Sequence, residues 1–419
     1  MKEIWIFNHY ASDMYRNKGG RHFWFAQKLQ NKGYKVKIFC SNTFHNSNDV
    51  IQINNKSLFE VKFLEGIEFI FIKTRSFHGN GKDRVLNMID FYRNLKKVSK
   101  TYLINNSIPD IILASSVHPL TLLAGIQIGK KLNVPNISEV RDLWPEAIFR
   151  FGYVKEKSLF GKILEQGEKY LYRNSSALIF TKPGDKDYLI EKKWDKEQGG
   201  PIDMNNVFYI NNGVDLKEFN NLKINMVYND SDIDSNKFKV IYTGTIKPVN
   251  NIDLILDAAK LLKKEKDIQF LLFGSGSEEN RIKNRIEEED ISNVKLKGRV
   301  DKKYIPNILG KSNVNLLNYA QSQYNWKRGN SSNKLFEYMA SGKPVLSTVK
   351  LGYSIIKEKR IGYEISENTA KALAENILQI KRLPSVEYNV MCNNSKEAVK
   401  EYDFTILTDK LIQVINEVS

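Results

Sequence analysis

Cysteine is scarce in this sequence of 419 residues, which contains only Cys40 and Cys392. Two cysteines cannot build the disulfide framework that stabilises many small secreted domains, so we expect a reducing, cytosolic compartment. The charged start, apolar stretch and small-residue cleavage site of a secretory signal are lacking too, because "MKEIWIF" passes from Met1 directly into an apparent strand. A cytoplasmic protein is therefore predicted.

Long uninterrupted apolar runs are missing as well. The longest one, "IILASSVHPLTLLAGIQIG" at 111–129, contains two serines, His118 and Pro119 in its middle. These interruptions favour a strand, a loop and a buried helix over a segment that crosses a bilayer. Hydrophobic residues make up 42% and charged residues 27% of the chain, as in soluble globular proteins, and the length suggests two domains.

Acidic residues are outnumbered, with 48 Asp and Glu against 64 Lys and Arg, so the formal net charge is +16. Such an excess favours anionic partners, which include nucleic acids, phosphorylated small molecules and an anionic membrane face. The cations are spread along the chain and no motif typical of a nucleic-acid reader is present. We therefore predict no nucleic-acid partner and keep a nucleic-acid-binding protein as an alternative.

Two cofactor motifs are also missing. An NAD-dependent oxidoreductase needs Gly-x-Gly-x-x-Gly between its first strand and helix, and "NHYASDMYRNKGGRHF" does not supply that spacing. The carboxylates of "DSDIDSN" at 230–236 lack the Gly and Glu positions of a calcium loop, so we predict a solvated loop there. We expect neither a cofactor nor a bound metal.

Apolar strand patterns alternate with amphipathic helix patterns in two series, one starting at "EIWIF" and one at "FKVIYTGT". This alternation predicts an α/β protein with two Rossmann-like, doubly wound domains that face a cleft. The stretch 192–236 between the series is rich in Gly, Pro, Asn and Asp and indicates a linker. The predicted domains are 1–205, completed by a C-terminal helix at 402–419, and 206–401.

The stretch "SSNKLFEYMASGKPVLS" at 331–347 predicts a capped helix, a stop at Gly342 and a buried strand. At 100° per residue, one face of the helix is apolar. The other face is predicted to carry Lys334, Glu337, Tyr338 and Ser341.

This polar face could bind a nucleotide. The helix start has free N–H groups and a partial positive charge, so together with Lys334 it can hold a phosphate. Glu337, one turn deeper, could accept hydrogen bonds from a ribose diol. The alternative is an ordinary solvated Lys–Glu pair on one helix face.

A second amphipathic stretch, 73–100, contains eight basic residues against Asp83 and Asp90. A basic amphipathic helix can lie on anionic lipid. We favour the alternative in which its apolar stripe packs on its own sheet and only the cations face outward. The stripe consists of Val85, Met88, Ile89, Tyr92 and Leu95.

The string from Ser331 to Pro344 resembles "S-x-x-K-L-F-E-Y-M-A-x-G-K-P" of retaining GT-B glycosyltransferases, in a subgroup of family 4 that includes enzymes of capsule and O-antigen assembly. The resemblance implies that Glu337 is the second of two glutamates eight positions apart and binds the nucleotide ribose. The first would fall at Gly329, so this chain departs from the family there.

Further strings of the second half are similar to the same family: "YTGTIKPVNNIDLILDAA" at 242–259, "LLFGSGSEE" at 271–279 and "KGRV" at 297–300. The resemblance implies that Lys247 and Lys334 stabilise the diphosphate of the donor as it departs. It implies that the remaining donor-binding residues are Gly19, Gly20, Gly244, Thr245, Gly274, Arg299, Val300, Ser331, Ser332, Asn333 and Leu335.

The first half resembles the family at the glycine loop of Gly19 and Gly20, whose alternative is a plain strand–helix turn, and at "EVRDLWPE", 139–146. The resemblance implies a catalytic role for His118 at the donor sugar. It also implies that Arg141, Asp142 and Glu146 bind the acceptor, for which the alternative is a structural Arg–Asp pair. "NNGVD" at 211–215 matches the family's linker between the domains.

The resemblance implies sugar transfer with retained anomeric configuration and without a metal. The expected donor is a nucleotide-sugar of the UDP-N-acetylhexosamine type. The expected acceptor is a saccharide on polyprenyl diphosphate, which would place a cytoplasmic enzyme peripherally at the inner face of the cell membrane. The alternative activity on the same architecture is nucleotide-sugar 2-epimerisation, which needs no acceptor.

Overall fold

The computed structural model describes the chain except residues 45, 46, 48, 78, 80, 117, 151 and 322–325. It divides into two compact units, one formed by Met1–Asn211 with Phe404–Ser419 and the other by Asn212–Asp403. The division between the units thus falls at Asn211, a few residues after the boundary expected at 205. The last helix belongs to the first unit.

The elements are numbered in chain order. The strands are β1 (Glu3–Phe7), β2 (Lys35–Ser41), β3 (Phe59–Leu64), β4 (Ile67–Ile72), β5 (Ile111–Ser116), β6 (Asn136–Val140), β7 (Ala177–Phe180), β8 (Val207–Tyr209), β9 (Phe238–Thr243), β10 (Ile268–Phe273), β11 (Val294–Gly298), β12 (Val314–Leu317), β13 (Val345–Ser347) and β14 (Gly362–Glu364). The α-helices are α1 (Ser12–Asn17), α2 (Arg21–Asn31), α3 (Lys82–Tyr102), α4 (Pro119–Leu132), α5 (Trp144–Arg150), α6 (Leu159–Arg173), α7 (Asp185–Glu191), α8 (Leu216–Asn225), α9 (Ile252–Leu261), α10 (Glu279–Glu288), α11 (Ile305–Gly310), α12 (Asn333–Ser341), α13 (Ile355–Glu358), α14 (Ala370–Lys381), α15 (Ser385–Ala398) and α16 (Phe404–Val418).

The first unit contains a sheet in the order β3-β4-β2-β1-β5-β6-β7-β8. Its central strands are buried on both faces, as parallel strands covered by helices on both sides should be. All neighbours pair in parallel except β3 and β4, which pair antiparallel at the edge. The C-terminal helix α16 packs on α2, where the rings of Phe25 and Phe404 meet edge to face at 5.4 Å.

The second unit contains a parallel sheet in the order β11-β10-β9-β12-β13-β14. Its strands are short apolar runs such as "IQFLLF" of β10, which is buried throughout. Helices α9 and α14 pack against each other on one face. The predicted α/β class with two Rossmann-like units is confirmed.

The interpretation of 192–236 as a linker was wrong for part of its length. It contains strand β8 and helix α8, which Asp215 caps by accepting a hydrogen bond from the Glu218 amide at 2.8 Å. The loop of "DSDIDSN" is not simply solvated either. Lys297 contacts Asp230 at 2.8 Å and Asp232 at 2.5 Å, so these carboxylates attach the loop to β11.

Helix α3 confirms that most of the apolar stripe of 73–100 packs on its own unit. Met88 and Leu95 are buried, whereas Val85 is exposed. In the described part of the chain, no helix combines the length and the hydrophobicity that a membrane crossing requires.

Candidate functional site

The loops that follow β9 and β10 lie in direct backbone contact at the carboxyl edge of the second sheet. A Cβ atom added to Gly274 would lie 1.7 Å from the carbonyl oxygen of Gly244, and one added to Gly276 would lie 2.2 Å from that of Ile246. Gly274 also has a φ of +147°, a conformation that disfavours other residues. The two loops can therefore approach each other only because glycines occupy these positions.

Two tyrosine rings flank a lysine at this edge, and a third tyrosine fixes the helix that carries it. The Lys334 Nζ lies 4.6 Å from the ring centre of Tyr319 and 5.0 Å from that of Tyr242, and 3.5 Å from the Tyr242 hydroxyl. The buried Tyr338 hydroxyl accepts a hydrogen bond from the Thr243 amide at 3.1 Å, which attaches α12 to the end of β9. Electron-rich ring faces attract a cation, so the cluster holds the lysine head in place.

Burial among these rings changes the charge state of Lys334. Desolvation lowers the pKa of Lys334 to about 7, against the opposing effect of the Glu337 carboxylate. An ammonium group loses hydration when it is buried, so its neutral form becomes favourable. An anionic ligand beside Nζ would restore the positive charge, which makes this lysine a suitable phosphate contact.

Glu337 is half-buried one turn after Lys334, and its carboxylate lies 3.7 Å from the Lys302 ammonium. The alternative of an ordinary solvated Lys334–Glu337 pair therefore does not describe the arrangement. Tyr338 and Ser341, which were expected on the same polar face, are buried. That expectation was wrong because α12 packs against β12, β13, α11 and α15, so more than one of its faces is covered.

The start of α12 is arranged by polar side chains on both sides of it. Asn212 donates a hydrogen bond to the carbonyl of Ser331 at 2.6 Å, and the amide of Ser332 donates to the Asn330 side chain at 2.6 Å. Ser332 is the N-cap residue, but its hydroxyl accepts no capping bond and has no partner among the described residues. This hydroxyl and the exposed Asn333 beside it are placed to contact a ligand at the helix start.

Two positions of this segment differ from expectation. The side chain of Leu335 is buried in the core, and its amide donates to the Ser332 carbonyl at 3.2 Å, so the side chain does not contribute to a binding surface. Gly329, where the family has its first glutamate, has a φ of +96°. A glutamate would be strained in that conformation, so the loop itself is built differently here.

The loop after β9 is held by two asparagines. Asn250 donates to the carbonyl of Thr245 at 2.7 Å, and Asn318 donates to the carbonyl of Asn251 at 2.9 Å. Within this loop Thr245 and Lys247 are exposed. A ligand phosphate could therefore reach the Lys247 ammonium.

The segment after β11 contains the residues expected to hold the nucleotide base. Arg299 is exposed, and Val300 is half-buried against the core of the second unit. The structure thus places Arg299 and Val300 at the carboxyl edge of the same sheet as the loops after β9 and β10.

In the first unit, His118 is buried at the N-terminus of α4, and its Nε2 lies 2.7 Å from Nδ1 of His9. The His118 Nδ1 has no hydrogen-bond partner in the described part of the chain. Burial, with a smaller contribution from the charge of Arg84, lowers the pKa of His118 to about 3, so its ring is neutral at physiological pH. It can offer a hydrogen bond, and its role at the donor sugar stays a prediction.

The glycine loop of the first unit positions a buried ion pair. Gly20 precedes α2 with a φ of +108°, and Gly19 lies beside the ring of Trp24. The next residue, Arg21, contacts Glu139 at 2.7 Å and also donates to the carbonyl of Ile210 at 2.9 Å. These contacts connect the start of α2 to the ends of β6 and β8.

Glu139 is the centre of a buried polar cluster. Its carboxylate accepts a hydrogen bond from the Ser115 hydroxyl at 2.8 Å. In addition to Arg21, the carboxylate contacts the His22 ring at 3.1 Å. Burial alone would raise the pKa of Glu139, but the charges of Arg21 and His22 hold it well below its ordinary value. The sequence prediction quoted Glu139 without assigning it a role, although it directly precedes "VRDLWPE".

The three predicted acceptor-binding residues follow β6. Asp142 is exposed and lies 3.1 Å from the Lys182 ammonium, whereas Arg141 is half-buried and its amide donates to Ser116 at 3.0 Å. The alternative of an Arg141–Asp142 pair is replaced by a pair between Asp142 and Lys182. Glu146 is half-buried in the first turn of α5.

Prediction from sequence missed Tyr242 and Tyr319 at the donor edge, and His9 and His22 in the first unit. Tyr242 lies inside the quoted string "YTGT", and its position at a strand end was the one available signal. His9 follows β1 as His118 follows β5. Because β1 and β5 are neighbours, residues after their carboxyl ends meet.

In the described ranges, no group of three or more His, Cys, Asp or Glu residues is placed to hold a metal.

Residues 228–399 match the family described as "Glycosyl transferases group 1". The poly(ribitol-phosphate) alpha-N-acetylglucosaminyltransferase of Staphylococcus aureus is 23% identical over 60% of this chain, and the chain spans 47% of its length. Among solved structures, sucrose-phosphate synthase from Thermosynechococcus elongatus has a TM-score of 0.71 and 18% identity, with coverage of 100% of this chain and 99% of that one. Anabaena Alr3699/HepE in complex with UDP has a TM-score of 0.65 and 14% identity, and both chains are covered completely.

The fold and the family match agree with each other. Over the whole chain, the fold is that of the GT-B glycosyltransferases. The second unit, which contains the lysine and tyrosine cluster, carries the family match. The likeness to glycosyltransferases thus extends over the whole chain as a fold and over 228–399 as a family match.

Proposed function

We propose that the protein is a metal-independent, retaining glycosyltransferase that moves a sugar from a UDP-N-acetylhexosamine-type donor to a saccharide linked to polyprenyl diphosphate. It acts in surface polysaccharide assembly, as do the capsule and O-antigen enzymes that its sequence resembles. Two similar proteins support the choice of donor. The S. aureus relative is named as an N-acetylglucosaminyltransferase, and the Anabaena structure contains UDP.

The observation that carries the proposal is the position of Lys334. It lies at the start of α12, next to the two glycine loops and between two tyrosine rings. Helix-start amides and a cation together bind phosphate groups. The diphosphate of the donor therefore binds between Lys334 and the loop of Lys247, and Glu337 accepts hydrogen bonds from the ribose.

The same groups support a reaction without a metal. As the bond between the anomeric carbon and the phosphate oxygen breaks, negative charge develops on the diphosphate. Lys334, Lys247 and the helix-start amides stabilise that charge, as fixed dipoles and cations do in other enzymes. The acceptor hydroxyl attacks from the face that the phosphate leaves, and its proton passes to the departing phosphate. His118 provides a hydrogen bond to the donor sugar, and Asp142 and Glu146 orient the acceptor.

The test uses UDP-N-acetylglucosamine with a synthetic short-chain polyprenyl-diphosphate saccharide, with and without EDTA. We expect a product that contains one additional sugar of unchanged anomeric configuration, determined by NMR, at a rate that EDTA does not alter. Conversion of the donor without acceptor would identify the 2-epimerase instead. Lys334→Met should lower the rate at least 100-fold, and Lys371→Met, which changes an exposed lysine of the same unit, should not.

A further inference from the structure

The first unit contains an apolar pocket of about 340 Å³ between α4, α5 and α6. Its size lies in the range of small-molecule sites, which are about 300–1,000 Å³. The walls are aliphatic and aromatic, and among them are Pro119, Leu123, Trp144, Ile148, Ile163 and Leu171. Nothing in the reaction of the donor requires such a pocket.

The pocket continues into an exposed apolar face of α6. Ile163, Gly167 and Tyr170 line the pocket and recur at three- and four-residue spacing, so they lie on one face of the helix. Phe160 extends this face by another turn, and its side chain is 57% exposed, as is that of Ile163. A contiguous apolar patch that continues into a pocket marks a binding surface.

Cations surround this face. Lys155, Lys157 and Lys162 are all exposed on α6 or directly before it. Glu156 and Glu165 in the same segment are both paired with Lys192, at 2.9 and 2.8 Å. The surroundings of the apolar face are therefore positive, which suits an apolar ligand that carries phosphate.

The inner end of the pocket reaches the predicted acceptor residues. Ser116, the last residue of β5, and Asp142, which follows β6, both line it. Both lie at the carboxyl edge of the first sheet, where ligands of such sheets bind. A chain in the pocket would thus have its polar end beside Asp142.

We propose that this pocket binds the isoprenoid chain of the polyprenyl-diphosphate-linked acceptor. This inference rests on the proposed function, because it assigns a site to the lipid of that acceptor. The first isoprene units occupy the pocket between α4, α5 and α6, and the chain continues along Phe160 and Ile163. The diphosphate, which is bonded to the first isoprene unit, lies at the inner end of the pocket near the Lys182 ammonium that pairs with Asp142. The lysines before and within α6 add positive charge around the chain.

This assignment replaces α3 as the lipid-facing element. Most of the apolar stripe of α3 is used inside its own unit, where Met88 and Leu95 are buried. On α6, by contrast, Leu159, Phe160 and Ile163 are exposed. Lipid contact therefore belongs to α6, and the cations of α3 are left as a solvated face.

Gly167 provides a specific variant. A Cβ added there meets no atom within 4 Å, and the residue is helical, so a larger side chain fits the fold and extends into open space at the pocket. Gly167→Leu should fill the pocket mouth, and Gly167→Ala is the matched control that adds little volume. Both replace glycine within a helix and should not lower stability.

The experiment measures binding of farnesyl phosphate, a water-soluble prenyl phosphate, by calorimetry, and binding of UDP to the same samples. We expect wild type and Gly167→Ala to bind farnesyl phosphate with equal affinity and Gly167→Leu to bind it at least tenfold more weakly. The affinity for UDP should be equal in all three proteins. Inorganic phosphate alone should not compete.

Three results would overturn the inference: no binding of farnesyl phosphate to wild type, equal binding to Gly167→Leu, or binding of phosphatidylglycerol vesicles without binding of farnesyl phosphate. The third would assign the face to a bilayer surface and not to an isoprenoid chain. If farnesyl phosphate binds as expected and UDP does not bind at all, the pocket stands and the proposed sugar transfer fails.

Discussion

The charge of Lys334 leads to a quantitative prediction about proton uptake. With a pKa of about 7 in the free protein, the ammonium is about half protonated at pH 7 and about one-tenth protonated at pH 8. A bound diphosphate favours the charged form and raises this pKa again. Binding of UDP should therefore take up about 0.5 proton at pH 7 and about 0.9 proton at pH 8.

Calorimetric titrations with UDP in two buffers of different ionisation enthalpy measure this uptake. The value at pH 8 is decisive, because the terminal phosphate of the nucleotide, with a pKa near 6, is then ionised and releases few protons. Above pH 7 the affinity of wild type should fall about tenfold per pH unit, since each binding event requires a proton that is less available.

Two variants separate this mechanism from others. Lys334→Met should bind UDP weakly, without proton uptake and with little dependence on pH, whereas Lys371→Met should behave as wild type. Proton uptake that persists in Lys334→Met, or affinity in wild type that is constant from pH 7 to pH 9, would refute the reasoning.

Two further predictions concern stability. Burial raises the pKa of Glu168 from 4.5 to about 7, although the hydroxyls of Tyr172 and Tyr188 donate to it at 2.6 and 2.7 Å. The folded state thus favours the protonated form, so stability should fall by about 3 kcal/mol as pH rises from 4.5 through 7, and Glu168→Gln should abolish this loss. Urea unfolding at pH 5 and pH 8 measures it, and an identical pH dependence in both proteins would contradict the assignment. Gly274→Ala should destabilise the second unit and abolish UDP binding, because the added Cβ would collide with the Gly244 carbonyl. The control Gly167→Ala should change neither stability nor UDP binding. An unchanged melting temperature and UDP affinity in Gly274→Ala would show that the two loops can separate.

The sequence pattern predicted the parallel core of both sheets because strands buried on both faces are near-continuous apolar runs. Strand β3 was missed, since its residues are half-buried and Phe63 is exposed, so no clear alternation is present. Helix α8 was missed because "LKEFNNLKIN" is rich in asparagine and buries only Phe219. Local composition favoured a linker there, and tertiary packing decided otherwise.

The candidate site was predicted where one short string contains several of its residues. Lys334 and Glu337 share a helix, so their spacing alone places them one turn apart. The error at Tyr338 arose because a two-faced helical projection assumes solvent on one side. The pair of His9 and His118, which are 109 positions apart in the chain, could not be found without the register of β1 and β5.

The central claim is that α12 binds a uridine nucleotide through Lys334 and Glu337. A thermal-shift panel with UDP, GDP, NAD and a short DNA duplex, on wild type and Glu337→Ala, tests it most directly, because a ligand that binds only the folded state raises the melting temperature. The claim predicts stabilisation of wild type by UDP, a much smaller shift in Glu337→Ala, and none with NAD or DNA. Stabilisation by NAD or DNA alone, or an equal UDP shift in both proteins, would contradict it.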